Sequence, residues 1–422
     1  MTGVRVRARR VAARAIVTRP AGDVFSRVPA TGLLVARAAF RTGRDRLCEA
    51  ALERLARRDP DSVPAAVLRA DLRTFQGRYR EALAAAEAAA TSRSAAATAR
   101  LVRLSYRVRE RDEAQRVAVA AAREFPRSVE VLWQVALACD QPAQYERLER
   151  AWRAAATAPA DLLPVVRPLA VAAARAGRLD AATGWYRRAV ELLLHTGRPA
   201  PVPTTRLAGL GAHRAIRDLC RVLDSAGVPF FFAAGTALGL IRQGRPLGAD
   251  GDIDVGIFEP DWQPAGLIEL FTQDPSFDLD PHPQTEKVGL RHRGGSPVDI
   301  FRFYEQAGVL WHDGVFVRWR NSPFRVTRRR IGRLRVPLPA DPDRYLTETY
   351  GDWRTPMPGF DAFTDDAPNL EVTWPDYQRM HLVRRGYTRL AAGDPAGARQ
   401  ELARAGEPEL AAKLAAVHPD SG

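Results

Sequence analysis

The sequence predicts a multidomain chain of α and α/β parts. An α-helical repeat solenoid is expected over residues 30–200, a mixed α/β domain over 207–375 and a helical hairpin over 376–422, after a basic segment at 1–29. Three observations carry this. The 422 residues suit two or three domains at roughly 100–200 residues each. Up to about residue 198 the chain is dominated by Ala, Leu and Arg, all strong helix formers. After the prolines at 199, 201 and 203 it changes to short β-rich runs bounded by turn residues.

Each part has its own evidence. In the first, a turn pattern recurs as Gly43-Arg44-Asp45, Gly77-Arg78-Tyr79, Arg109-Glu110-Arg111, Asp140-Gln141-Pro142 and Gly177-Arg178-Leu179, at steps of 34, 32, 31 and 37 residues. Amphipathic runs such as Glu81 to Ala90 and Asp180 to Leu194 follow most of these turns. A period near 34 with paired helices resembles tetratricopeptide repeats. Such units bury their apolar faces only by stacking, so the array is either a docking surface for a protein partner or a spacer. In the second part, Leu207 to Ala226 reads as one amphipathic helix. Val228 to Ala233, Ile253 to Phe258, Lys287 to His292, Val298 to Tyr304 and Leu334 to Leu338 read as strands. The stretch Tyr377 to Val417 is helical again, and Gly393-Asp394-Pro395 resembles one more repeat turn.

Composition narrows the function classes. With 46% hydrophobic and 27% charged residues the chain is globular. No run approaches the roughly 18–20 apolar residues of a membrane span. The three cysteines lie far apart, which argues against a disulfide framework and a cysteine zinc site. The arginine-rich first twenty residues lack the apolar centre of a secretory signal. The expected location is the cytoplasm, with contact to the inner face of a membrane left open. Residues 1–200 hold 36 Arg and 20 acidic residues, so the net charge of +14 comes entirely from this part. An anionic membrane surface or polymer is a candidate partner for it. Nucleic acid is not expected, because the charge is spread along helices and no nucleic-acid-reading module is apparent. Only Lys287 and Lys413 are lysines, an Arg and Ala bias that resembles coding by a high-GC bacterial genome.

The chemistry is concentrated in Phe230-Phe231-Phe232-Ala233-Ala234-Gly235-Thr236-Ala237-Leu238-Gly239-Leu240-Ile241-Arg242, followed by Asp250-Gly251-Asp252-Ile253-Asp254-Val255. A buried aromatic strand should end at a Gly-Thr turn, with Thr236 capping the next helix. The unpaired N–H groups of that helix start can bind phosphate, and glycine lets the backbone come close to it. Asp252 and Asp254, two apart on a strand, project to one side about 7 Å apart, while Ile253 and Val255 face a core. Like charges so placed repel unless a cation lies between them, and hard oxygen ligands suit Mg²⁺ or Mn²⁺ with a phosphorylated substrate. Asp250 is a further ligand, a group behind the ligands or a turn residue. Asp299, between Val298 and Ile300, is either a third member of the site or an Asp on an exposed strand edge. Arg242 lies on the helix after the Gly-Thr turn, where a solvated arginine is the plain reading. Lys287 meets a phosphate or guards a strand edge. Trp311, Trp319 and Trp374 stack on ligand or fill the core, and His312 is an acid–base candidate or a turn residue. Arg328-Arg329-Arg330 is an anion patch or a solvated face.

Gly-Thr, the short helix with Leu238-Gly239 and Arg242, and then Asp-x-Asp-Ile-Asp resemble the active-site signature of the nucleotidyltransferase fold, more narrowly that of the LicD/fukutin family. Val255-Gly256-Ile257-Phe258, Val298-Asp299-Ile300-Phe301, Arg335-Val336-Pro337-Leu338-Pro339 and Tyr345 to Trp353 continue the resemblance over roughly residues 210–360. It departs at Leu247-Gly248-Ala249, which stand where many members carry Trp and acidic residues. The cysteine cluster that forms a zinc site in one branch of the family is absent, so no structural zinc is expected. The resemblance implies metal-dependent transfer of a phospho-alcohol group, such as ribitol phosphate, glycerol phosphate or phosphocholine. The donor would be CDP-linked, the acceptor a glycan, glycolipid or cell-surface polymer precursor, and CMP the leaving group. Asp252 and Asp254 would then hold the metal, Asp299 complete the site, and Gly235, Thr236 and Arg242 bind donor phosphates. Two other readings are a nucleotidyltransferase that moves NMP from an NTP, and a repeat scaffold without catalysis.

Overall fold

A computed structural model describes residues 29–196, 209–248, 250–281, 286–314, 316–357 and 359–418. The basic segment with Arg7, Arg9 and Arg10, the proline linker and Ala249 therefore lie outside the described residues. The first part is a series of ten helices among those residues. They are α1 Pro29–Arg41, α2 Asp45–Arg58, α3 Val63–Phe75, α4 Tyr79–Ala90, α5 Ala95–Val108, α6 Arg111–Glu124, α7 Val129–Leu137, α8 Pro142–Ala155, α9 Val166–Arg175 and α10 Leu179–Thr196. The repeat-turn glycines Gly43, Gly77 and Gly177 have φ of 74°, 71° and 72°. That left-handed conformation, which glycine adopts without steric penalty, reverses the chain between paired helices. Alanines fill the helix contacts, and Tyr145, Trp152 and Trp185 supply the bulk. Trp185 donates to the Tyr145 hydroxyl at 2.9 Å and meets Trp152 edge-on at 5.3 Å.

The second part opens with α11 Gly209–Ser225, β1 Phe231–Phe232, α12 Ala234–Gln243, β2 Ile253–Phe258 and α13 Pro264–Gln273. Strands β3 Phe277–Leu279, β4 Lys287–His292, β5 Pro297–Gln306, β6 Val309–Asp313, β7 Val317–Asn321, β8 Val326–Ile331 and β9 Leu334–Pro339 follow. Helix α14 Pro342–Tyr350 and β10 Leu370–Val372 complete it. Eight strands form one mixed sheet, in which β1-β2-β5-β6-β7-β10 are neighbours and β4 links β3 to β5. Strand β5 is its hub. It pairs parallel to β2, with Asp254 beside Asp299, while its other edge takes β4 first and β6 afterwards. Alternation sends Ile253, Val255, Ile257, Val298 and Ile300 into a core with Ile216 and Leu219 of α11. The acidic side chains are left on the opposite face. β8 and β9 form a separate ribbon.

The expected strand at Val228 to Ala233 shortens to Phe231–Phe232. His312 lies inside β6 rather than in a turn, sandwiched between Phe303 (4.4 Å) and Trp319 (4.9 Å). Burial alone lowers its pKa to about 3, so it is a neutral core residue at ordinary pH. The final helices, α15 Pro375–Ala391, α16 Pro395–Arg404 and α17 Pro408–Val417, return to the solenoid, where α15 packs on α10. Among the described residues no helix is long and apolar enough to cross a membrane.

The solenoid also grips the sheet. Asp278 of β3 is almost wholly buried and ion-paired with Arg103 (2.6 Å) and Arg107 (3.4 Å) of α5 and with Arg291 of β4 (3.5 Å). Both α5 guanidinia also donate to the Leu279 carbonyl, at 2.9 and 2.6 Å. Burial works to raise the Asp278 pKa, but the charges of Arg103, Arg291 and Arg107 overcome it and hold it low. Asp278→Asn would leave three arginines around a neutral group. It is expected to lower unfolding stability by about 3–5 kcal/mol, the usual effect of breaking a buried pair from one side. Urea denaturation measures this, and a change below about 1 kcal/mol would show that the cluster does not hold the two parts together.

Candidate active site

The Gly-Thr segment does not form the expected cap. Helix α12 begins at Ala234, the capping position is Ala233, and no side chain caps the helix there. Thr236 is the third residue of the helix, almost fully buried, and its Oγ1 accepts the Asp254 N–H at 2.9 Å. The hydroxyl therefore fixes the helix to the acidic strand. Ala233 adds a backbone bond to the Asp254 carbonyl at 3.0 Å. Ala234 has φ of 40°, a strained value for a residue with a Cβ. Its N–H donates at 3.0 Å to the hydroxyl of buried Tyr345 on α14, which helps to hold that conformation. Gly235 is required for space: a Cβ there would lie 2.5 Å from Asp250 Oδ2.

Asp250 thus sits against the helix start, in the loop before β2. Its Oδ1 accepts the Gly251 N–H at 3.0 Å, whereas Oδ2 is buried without a hydrogen-bond partner. Asp252 immediately precedes β2, Asp254 is its second residue, and Asp299 is Asp254's neighbour across the parallel pair. Lys287 of β4 reaches Asp299 Oδ2 at 2.6 Å. Burial pushes Asp250 up to about 7, with the Asp252 charge adding to it. Burial and then the Asp299 charge push Asp252 up to about 6, against the pull of Lys287 and Arg167. Asp254 is raised well above the ordinary carboxylate value, by burial and then by Asp252, Asp250 and Asp299. Four carboxylates are crowded around one ion-paired lysine.

The remaining candidates go elsewhere. Arg242 lies at the far end of α12, about 10 Å from Gly235 along the helix, and donates to the Trp353 carbonyl at 3.0 Å. It ties the helix to the segment after α14 and is not directed at the N-terminal N–H groups. Arg328, Arg329 and Arg330 lie exposed on β8, where Arg328 pairs with Asp224. Trp319 is buried and donates to the Ala362 carbonyl at 2.9 Å. Trp311 is also buried, beneath Arg318, and Trp374 is exposed against Phe316. Arg167 of α9 is a contribution that the sequence did not signal. Its guanidinium lies over Trp133 at 5.3 Å and attracts Asp252 electrostatically. As one arginine among 36 in the first 200 residues it carried no pattern.

Among the described residues, no three His, Cys, Asp or Glu side chains close on one point as a finished metal cage. The donor set nevertheless suits a hard cation. It is all oxygen and includes the unpartnered Asp250 Oδ2. Mg²⁺ commonly binds through one or two carboxylates together with substrate phosphates rather than in a protein cage.

Residues 227–341 match the family described as LicD/FKTN/FKRP, nucleotidyltransferase domain. They form a LicD-type domain. The match spans α12, all four carboxylates and Lys287, and stops before Tyr345. The chain is 29% identical over 182 residues to the mouse ribitol-5-phosphate transferase FKTN, covering 39% of this chain and 38% of that protein. The human protein of the same name is 27% identical over 177 residues, with the same shares covered. The chain thus spans less than two fifths of the length of these curated relatives. The LicD-type match lies wholly outside the helical repeats.

The raised carboxylates have a thermodynamic consequence in metal-free protein. Asp250 binds its proton more tightly folded than unfolded, so stability is lost as pH rises from about 4, the unfolded value, through about 7. Asp250→Asn removes that burden. The variant is expected to be more stable than the native protein at pH 8, by on the order of 2 kcal/mol, and to lose the advantage near pH 4. Denaturation in chelator at both pH values measures this. A variant equally destabilised at both would contradict the assignment.

Proposed function

We propose that the LicD-type domain catalyses metal-dependent transfer of a phospho-alcohol group from a CDP-linked donor to a hydroxyl of a glycan or cell-surface polymer precursor, releasing CMP. The observation that carries this reading is the crowding of four carboxyl groups, Asp250, Asp252, Asp254 and Asp299, beside the start of α12. A site built this way is complete only when a cation and an anionic substrate enter together. The names of the relatives, ribitol-5-phosphate transferases, favour a phospho-alcohol over a nucleotidyl group.

In this reading Asp252 and Asp254 would hold Mg²⁺, or Mn²⁺, with Asp250 as a further ligand. The metal would supply charge neutralisation on the donor pyrophosphate. The chain's own groups do the rest. The N–H groups of Gly235 and Thr236, both in the first turn of α12, face donor phosphate oxygens. The Thr236 hydroxyl keeps that turn in register with Asp254. Asp299 is held by Lys287 through Oδ2, and its Oδ1 accepts no hydrogen bond among the described residues. That oxygen takes the proton of the attacking hydroxyl. The hydroxyl oxygen forms a bond to the phosphorus that carries the alcohol, and the bond from that phosphorus to the CMP oxygen breaks. Its electron pair leaves with CMP. Lys287 and Arg167 offset negative charge around the reacting groups.

Melting shifts with CDP-ribitol, CDP-glycerol, CDP-choline, CMP and the four NTPs, each with Mg²⁺, test this. One CDP-alcohol is expected to raise the melting temperature by several degrees in a metal-dependent way, as binding to the native state alone requires. The effect should vanish in Asp252→Asn/Asp254→Asn. A shift with an NTP alone would replace this reading with nucleotidyl transfer.

A further inference from the structure

A cleft of about 290 Å³ lies where the first repeats meet the sheet, away from the carboxylates. Arg37 and Arg41 of α1, Arg100 of α5, and Arg291 and Arg293 at the end of β4 line it, against one carboxylate, Asp71. Part of this charge is structural. Arg100 pairs with Asp71 and Glu130, Arg291 with Asp278, and Arg293 with Asp45 at 2.5 Å. What remains is unspent. The Arg291 and Arg293 Nε atoms are buried without a hydrogen-bond partner, and Arg293 as a whole is only 5% exposed. The exposed Arg37 and Arg41 side chains have no ion-pair partner among the described residues. Phe40 and Phe75 form an apolar floor, with the Arg293 guanidinium 4.9 Å from the Phe40 ring and 5.9 Å from that of Phe75. Two exposed guanidinia without ion-pair partners, above an aromatic floor and backed by further arginines, suit an anion.

The position of the cleft relates it to the carboxylates. Along β4, Lys287, Gly289 and Arg291 share one face, because strand residues two apart point the same way. Lys287 holds Asp299, Gly289 lies opposite Asp299 in the register, and Arg291 reaches the cleft. The two sites therefore stand on one face of the sheet, about 13 Å apart along the strand. The cleft is too far from the reaction centre to hold the phosphate being transferred. It is placed for another charged unit of the same acceptor chain.

We propose that this cleft is a second anion subsite, which binds a phosphodiester group of a chain-like acceptor while the acceptor's terminal hydroxyl lies at the carboxylates. The inference rests on the transferase reading for its acceptor. It gives the helical repeats a part in substrate binding, because Arg37 and Arg41 come from their first helix.

The test is equilibrium binding of a labelled ribitol-phosphate oligomer to the full chain, with inorganic phosphate as competitor. The proteins are wild type, Arg37→Glu/Arg41→Glu and Asp252→Asn/Asp254→Asn. The arginine variant is expected to bind the oligomer at least 10-fold more weakly, with its salt dependence reduced by about two charges. It should keep the metal-dependent melting shift with a CDP-alcohol, which also shows that it is folded. The aspartate variant should keep oligomer binding. Equal oligomer affinity in wild type and the arginine variant would overturn the proposal. So would inorganic phosphate that competes as well as an oligomer of equal phosphate content, since the cleft would then recognise a single anion. Loss of the CDP-alcohol shift in wild type, with oligomer binding still dependent on Arg37 and Arg41, would defeat the transferase reading and leave the anion subsite standing.

Discussion

Four carboxylates crowded on one face of the sheet, with one lysine in direct ion-pair contact, are the constraint around which the LicD-type domain is organised. Burial and repulsion by neighbouring carboxylates disfavour the ionised forms of Asp250, Asp252 and Asp254. Nothing in the hydrophobic core requires them, because Ile253, Val255, Val298 and Ile300 on the other face already supply it. The surrounding architecture holds them in place nonetheless. The Thr236 hydroxyl fixes α12 to the Asp254 backbone, Tyr345 holds the strained Ala234, and Gly235 leaves room for Asp250. The proposed cation would relieve this unfavourable crowding.

The same sheet connects this constraint to the helical repeats. Strand β4 carries Lys287 at the carboxylate end and Arg291 at the other, where Asp278, Arg103 and Arg107 join the solenoid to the sheet. Arg167 approaches Asp252 from α9. The repeats therefore do not stand apart from the sheet. They face the sheet through ion pairs at one end of β4 and contribute a cation toward the acidic cluster.

The sequence disclosed those features that depend on local period. Alternation of acidic and apolar residues matched the bounds of β2, Ile253–Phe258, with Asp252 just before it, and the recurring Gly-Arg turns marked the helix pairs. It misled wherever a side chain had a distant partner. Thr236 has the chemistry of a cap, but its hydroxyl serves a backbone group eighteen positions away, and the helix starts earlier through an alanine in a conformation that propensity assigns to glycine. Arg242 looked like a phosphate ligand because of its position in a motif, whereas its partner is a carbonyl 111 residues on. His312 read as a turn residue because Asp313-Gly314 follows it, and its burial depends on Phe303 and Trp319 across the sheet. The Lys287–Asp299 pair needed the β4–β5 register, which no single strand reveals.

In the proposed reaction, burial and crowding keep protons on Asp250 and Asp252 until cation and donor arrive together. The most direct test is the proton balance of that event. A CDP-alcohol with Mg²⁺ would be titrated calorimetrically in two buffers of different ionisation enthalpy, at about pH 6 and about pH 8.5. Binding that requires the ionised carboxylates must expel the protons held by Asp250 and Asp252, whose pKa values are raised to about 7 and about 6. The account predicts net proton release at the lower pH that fades at the higher one. Tight binding with no proton release at either pH would contradict it.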